Sequence, residues 1–194
     1  MIFLQLILTN LRRHLIRSVL SVAGIAFSVA AMLTVVTVLQ GAIGMFSGIL
    51  SSGAELIVFE RNVSDLFFSD VPPSAADQIA AWPMVAHADR VLFGVVSSAD
   101  HPIITCFGVT PDDARIQKAQ WLQGNARTFG EHPDDIVLGE RAAEFMSASM
   151  GSVVPIGHGA FHVIGIVKTS NGFEDGGVFM PLPAAQRFFH KEGS

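Results

Sequence analysis

Between Arg17 and Glu55 the chain carries no charged residue. Inside that gap lies one apolar run, Val19 to Leu39, VLSVAGIAFSVAAMLTVVTVL. At a rise of about 1.5 Å per residue, the run makes a helix of about 31 Å, the thickness of a bilayer's hydrocarbon core. This predicts a protein with one evident membrane span. Arg12, Arg13 and Arg17 precede the span. Positive charge stays on the cytoplasmic side, so the amino end is expected inside and the chain from about residue 45 onward outside. The run is longer than a signal-peptide core, and its arginines sit behind the hydrophobic start MIFLQLIL. The small-residue site Ser52-Gly53-Ala54 lies far beyond the apolar core, so a retained anchor is expected rather than a cleaved leader.

Outside the membrane part, roughly 150 residues remain, enough for one domain with its own core. The net charge of −5 hides an asymmetry. Residues 1–18 carry three arginines and no acid, whereas the rest carries nine Lys/Arg against seventeen Asp/Glu. An acidic outer domain argues against nucleic acid and against tight docking on anionic lipid. Cys106 is the one cysteine, so no intrachain disulfide forms and the domain must be stable by packing.

Residues 2–17 read as an amphipathic helix. Ile2, Phe3, Leu6, Ile7, Leu11 and Leu15 recur at helical spacing, opposite Gln5, Asn10 and the arginines. Such a helix lies along the inner surface, or extends the span into the cytoplasm. Within the span, Ser21, Gly24, Ser28 and Ala31 make one face flat enough to pack against another helix. The uncharged, glycine-rich stretch after Leu39 is expected to continue the helix as a stalk until about Ser51–Gly53. The chain thus divides into a cytoplasmic or interfacial helix (1–18), a span with stalk (19–50) and an outer domain (51–194).

The outer domain alternates short strands and helices. Strands are expected at Glu55–Glu60, Val91–Ser97, Ile103–Val109, Ile136–Leu138, Val153–Ile156, Phe161–Val167 and Gly177–Met180. Helices are expected at Ser74–Ala81 with a serine cap, after Thr110-Pro111-Asp112-Asp113, at Glu140–Ala148 and at Pro183–Phe189. Trp82 is expected to anchor the first of these in the core. Gly157-His158-Gly159-Ala160 signals a hairpin. The mixture of hairpins and single crossovers indicates an α+β fold.

A search for chemistry finds no catalyst. No GxxxxGK[ST] phosphate loop is present. The glycines of Asn171–Gly177 precede a strand, where a dinucleotide site needs a helix, and read as a turn. His158 and His162 straddle the hairpin, and His132 with Asp134 is a loose pair. A zinc site needs three or four converging ligands, so all four read as polar turn residues. No GxSxG elbow occurs, and Ser147 and Ser149 sit at a helix end. Glu174 and Asp175 are adjacent acids without evident partners. Cys106 lies in an apolar strand and reads as a buried small residue.

Several stretches, in order, resemble the amino-terminal half of FtsX/MacB-like ABC transporter permeases of the mechanotransmitting type. These are Asn10–His14, Arg17–Ala26, Glu55–Val58 and Gly108–Pro111. They continue through Trp121–Arg127 (with its arginine displaced from the family position) and Ile136–Ala143. The last and most specific is Phe161–Val167 leading into Phe173–Leu182 and Ala185–Arg187.

The resemblance implies a bacterial inner-membrane permease with a periplasmic core domain between its first and second spans. Such permeases pair with a second copy or paralogue. They bind cytoplasmic ABC ATPases, which hold the ATP and magnesium, so this chain needs no cofactor of its own. The outer domain acts on a periplasmic adaptor, peptide, lipid or lipoprotein, or protein partner. Residues 2–17 would face the membrane surface and the ATPase side, and Ser21, Gly24 and Ser28 would pack helices. The family has four spans, whereas this sequence stops at Ser194; a fragment and a shortened relative both fit. A membrane-anchored binding or sensing module working without an ATPase is the alternative, and an anchored enzyme is the third.

Overall fold

The computed structural model describes residues 13–51, 56–63, 69–97, 103–169 and 171–192. The chain divides into two units, Met1–Phe46 and Ser47–Ser194. Helix α1 runs Leu15–Ser51, and its stretch Leu15–Gly44 is long and apolar enough to cross a membrane. Its apolar side chains are exposed all round, Phe27 and Met32 among them. Such a surface is stable in lipid and not in water. Ser28, Thr34 and Thr37 each turn the hydroxyl back to the carbonyl four residues earlier, at 2.8 Å. Those polar groups are thereby satisfied within the helix. Most of the expected 2–17 helix, Arg12 included, lies outside the described residues; Leu15–Arg17 form the first turn of α1.

The outer unit is α+β, built on a seven-stranded mixed sheet. Its elements are α2 (Pro73–Ala80), β1 (Leu92–Val96), β2 (Ile104–Val109), α3 (Ala114–Gln117), β3 (Gln120–Gln123), β4 (Asp135–Gly139) and α4 (Glu140–Phe145). They continue with β5 (Val153–Ile156), β6 (Gly159–Lys168), α5 (Gly172–Asp175), β7 (Gly177–Pro181) and α6 (Leu182–Phe188). The strand order is β1-β2-β7-β4-β6-β3, with β5 also on β6. β2 runs parallel to β7 and β4 parallel to β6, while β4 and β7 are antiparallel. The central strands β2, β4 and β7 are therefore covered on both faces, and they read as unbroken apolar runs such as IVLG and GVFM.

Alternation along these strands sorts the core in two. Ile104, Cys106, Ile136, Leu138, Val178 and Met180 face α4 and α6 and pack on Ala142, Ala143, Leu182 and Ala185. Phe107, Val109, Val137, Val167 and Phe179 face the other way, toward Ile116 of α3 and Phe129. A register shift opposite Ile136/Val137 lets Val163 and Ile166 of β6 share the first face across three residues. Gly165 sits at that shift because a side chain there would strike the Trp121 ring and the Gln123 carbonyl. Trp121 in turn donates its indole N–H to the Ile116 carbonyl at 3.0 Å.

Five local expectations are corrected. Residues 56–60 form no strand. Ser74 is not a cap, since Pro72 holds that place and Pro73 starts the helix with a φ already suited to it. Trp82 is 55% exposed and does not enter the core. Residues 172–175 form one turn of helix rather than a plain turn, because the Asn171 side chain accepts the N–H groups of Phe173 and Glu174. Finally, β3 is a strand that the sequence reading lacks.

Candidate functional site

Among the described residues, Arg13 stands just ahead of α1 and Arg17 in its first turn. Arg17, Ser21, Gly24 and Ser28 recur at three- and four-residue spacing and so share one side of the helix. A methyl group added at Gly24 would meet nothing within 4 Å, so that side is open. The Ser28 hydroxyl donates to the Gly24 carbonyl at 2.8 Å, so it is satisfied within the helix.

The outer unit carries a buried ionic joint between residues far apart in the chain. Asp113 caps α3 by accepting the Arg115 N–H at 2.7 Å. The Arg115 guanidinium turns back onto the same carboxylate, at 3.0 and 3.3 Å, and sends its Nε to Glu174 Oε1 at 3.1 Å. Asp113 is fully buried and Glu174 nearly so. One guanidinium thus bridges two carboxylates and ties α3 to α5 across 59 residues of sequence. Asp175, next to Glu174, accepts the Thr169 N–H at 2.6 Å and its hydroxyl at 3.0 Å, which pins α5 to the end of β6. Both acids that lacked sequence partners are therefore structural anchors of the β6–β7 connection. Gly139 permits this closeness, since any side chain there would collide with the Asp175 backbone.

Burial pushes the Asp113 carboxyl above its ordinary range, with Arg115 pulling it back down and Asp89 adding to the rise. A raised carboxyl binds its proton more tightly when folded than when unfolded. Its ionisation therefore weighs against the fold above that raised value, and the penalty fades as pH falls through it toward the ordinary 3.8. Asp113→Asn keeps an oxygen for the Arg115 N–H and removes the titration. It is expected to flatten the pH dependence of thermal stability across that acid window, as read by circular dichroism melts.

Cys106 is fully buried and burial pushes its thiol up to about 12, which leaves no thiolate for nucleophilic work. His158 lies in the β5–β6 turn and His162 on β6 beside Asp135. Among the described residues, no three His, Cys, Asp or Glu side chains converge as metal ligands.

An apolar helix followed by this mixed-sheet domain has a counterpart. The family model described as the MacB-like periplasmic core domain matches residues 18–194. The chain belongs to that family. Structures similar to this MacB-like chain include the extracellular domain of the noncanonic ABC-type transporter YknZ from Gram-positive bacteria. That domain is 16% identical, with a TM-score of 0.49, over 62% of this chain and 67% of the other. Another is the periplasmic region of MacB from Actinobacillus actinomycetemcomitans, 14% identical with a TM-score of 0.45, over 66% of this chain. This chain spans 60% of that MacB region. No curated protein matches the sequence. MacB-like domains belong to ABC transporter permeases, which are not themselves enzymes.

Proposed function

We propose that this chain is the amino-terminal portion of a permease in an ABC exporter or mechanotransmission complex. In this reading α1 crosses the bacterial inner membrane with Arg12, Arg13 and Arg17 inside, and the MacB-like domain works in the periplasm. A cytoplasmic ABC ATPase hydrolyses ATP with magnesium. The permease carries the resulting movement to a peptide, a lipid or lipoprotein, or a protein partner outside. The observation that supports it is the family match, which takes in the apolar helix and the outer domain together.

The small-residue side of α1 is the contact for a second permease copy or paralogue. Gly24→Leu is expected to reduce pairing of spans in the membrane by at least several-fold while the domain keeps its melting temperature, because the added bulk falls on a helix–helix surface. Crosslinking between spans reads the effect. The larger test is purification of the native protein from its own membrane in mild detergent. Co-purification of an ABC ATPase supports the permease reading. A stable native protein that carries no ATPase and needs none for its phenotype would leave the anchored binding or sensing module instead.

A further inference from the structure

We infer that the carboxyl-terminal exit of the outer domain is a two-part joint: Phe188 and Phe189 fix α6 to the sheet, while Lys191 is a releasable clasp onto the segment that enters the domain. The inference goes beyond the permease reading and stands or falls without it.

The chain stops α6 in a defined way. His190 takes the left-handed conformation, at a φ of 55°. The Lys191 N–H bonds the Gln186 carbonyl at 2.8 Å and the His190 N–H bonds that of Arg187 at 3.3 Å. This is the hydrogen-bond pair of a Schellman stop. It turns the Lys191 side chain away from the helix, and its Nζ reaches the Ser69 carbonyl at 3.0 Å, across 122 residues. Ser69 also holds the incoming chain, because its hydroxyl accepts the Glu60 N–H at 2.9 Å. Entry and exit thus meet on one serine.

The last turn of α6 is held by different physics. The Phe188 ring meets Phe161 edge-on at 5.6 Å and Phe189 at 5.1 Å. The rings rest where the backbone is bare. A side chain at Gly94 of β1 would run into Phe189. One at Gly157, in the β5–β6 turn, would come within 2.9 Å of Phe188 and 2.8 Å of Val96. Aromatic rings seated on backbone exchange their contacts for water only at large cost. A half-buried ammonium-to-carbonyl bond finds a ready substitute in water. When entry and exit are drawn apart, the clasp opens first and α6 stays on the sheet.

Hydrogen exchange with mass spectrometry on the full chain in lipid nanodiscs tests this. Lys191→Met is expected to speed exchange at Glu60 and its neighbours by about fivefold or more while β1 is unchanged, and Lys191→Arg should restore protection. Phe189→Ala should speed exchange in β1 by about tenfold, and Phe189→Leu by less, so that a folded variant is available. Unchanged exchange at Glu60 in Lys191→Met overturns the clasp. Acceleration of β1 by the same variant overturns the division into two parts.

Discussion

Arg115→Met is expected to lower the melting temperature of the outer domain by about 6–20 °C. Removing one partner of a buried ion pair leaves uncompensated charge and costs about 3–5 kcal/mol. Each kcal/mol shifts the midpoint of a domain this size by about 2–4 °C. Here the loss strands two carboxylates at once, since Asp113 and Glu174 both depend on the one guanidinium. The deficit should shrink in acid, as Asp113 takes up the proton that its burial already favours. Adding Asp113→Asn and Glu174→Gln to Arg115→Met should recover much of the stability, because uncharged neighbours no longer need the cation. Melts of the three proteins at two pH values decide the matter. A single variant within 1 °C of the parent would mean that the joint contributes no net stability.

Phe107→Ala is expected to cost about 3–5 kcal/mol, the usual loss for a buried phenylalanine. Phe107 is 1% exposed and stacks on Phe179 at 5.1 Å. It meets Phe93 at 5.3 Å and Phe173 at 5.5 Å, both edge-on. Gly177 is bare where the Phe107 ring passes. One ring therefore joins β1, β2, β7 and α5, and its removal opens a cavity that four separate elements would have to close together. Denaturant unfolding should show the loss with an unchanged slope, and Phe107→Leu should recover about half of it. A loss under about 1 kcal/mol would show that the second face collapses around the gap.

The span and the hairpins were legible because their signals are local. A charge-free apolar run and the Gly157–Ala160 turn need no knowledge of the rest of the chain. The paired runs of β1 and β2, and of β5 and β6, carry their own apolar content. By contrast β3, Gln-Trp-Leu-Gln, is a four-residue edge strand with polar ends. It exists because β6 offers it a ladder and Gly165 makes room for Trp121, both more than forty residues away. The segment 56–60, with more apolar content, joins no strand ladder among the described residues. The ionic joint was illegible for the same reason. Nothing near Glu174 in sequence announces an arginine, and nothing near Arg115 announces a second acid. Arg115 and Glu174 meet because α3 and α5 lie on the same face of the sheet, where Ile116 and Phe173 join one apolar cluster.

The one thiol of this chain is sealed within the sheet and held protonated at any physiological pH. These 194 residues are therefore already silent to maleimide and to most oxidants while they are folded. A cysteine placed anywhere on the surface would report alone, with no background to subtract. The sidedness of α1 is thus open to single-site labelling in an otherwise unaltered sequence. The moment at which the domain unfolds would announce itself as one new reactive sulfur.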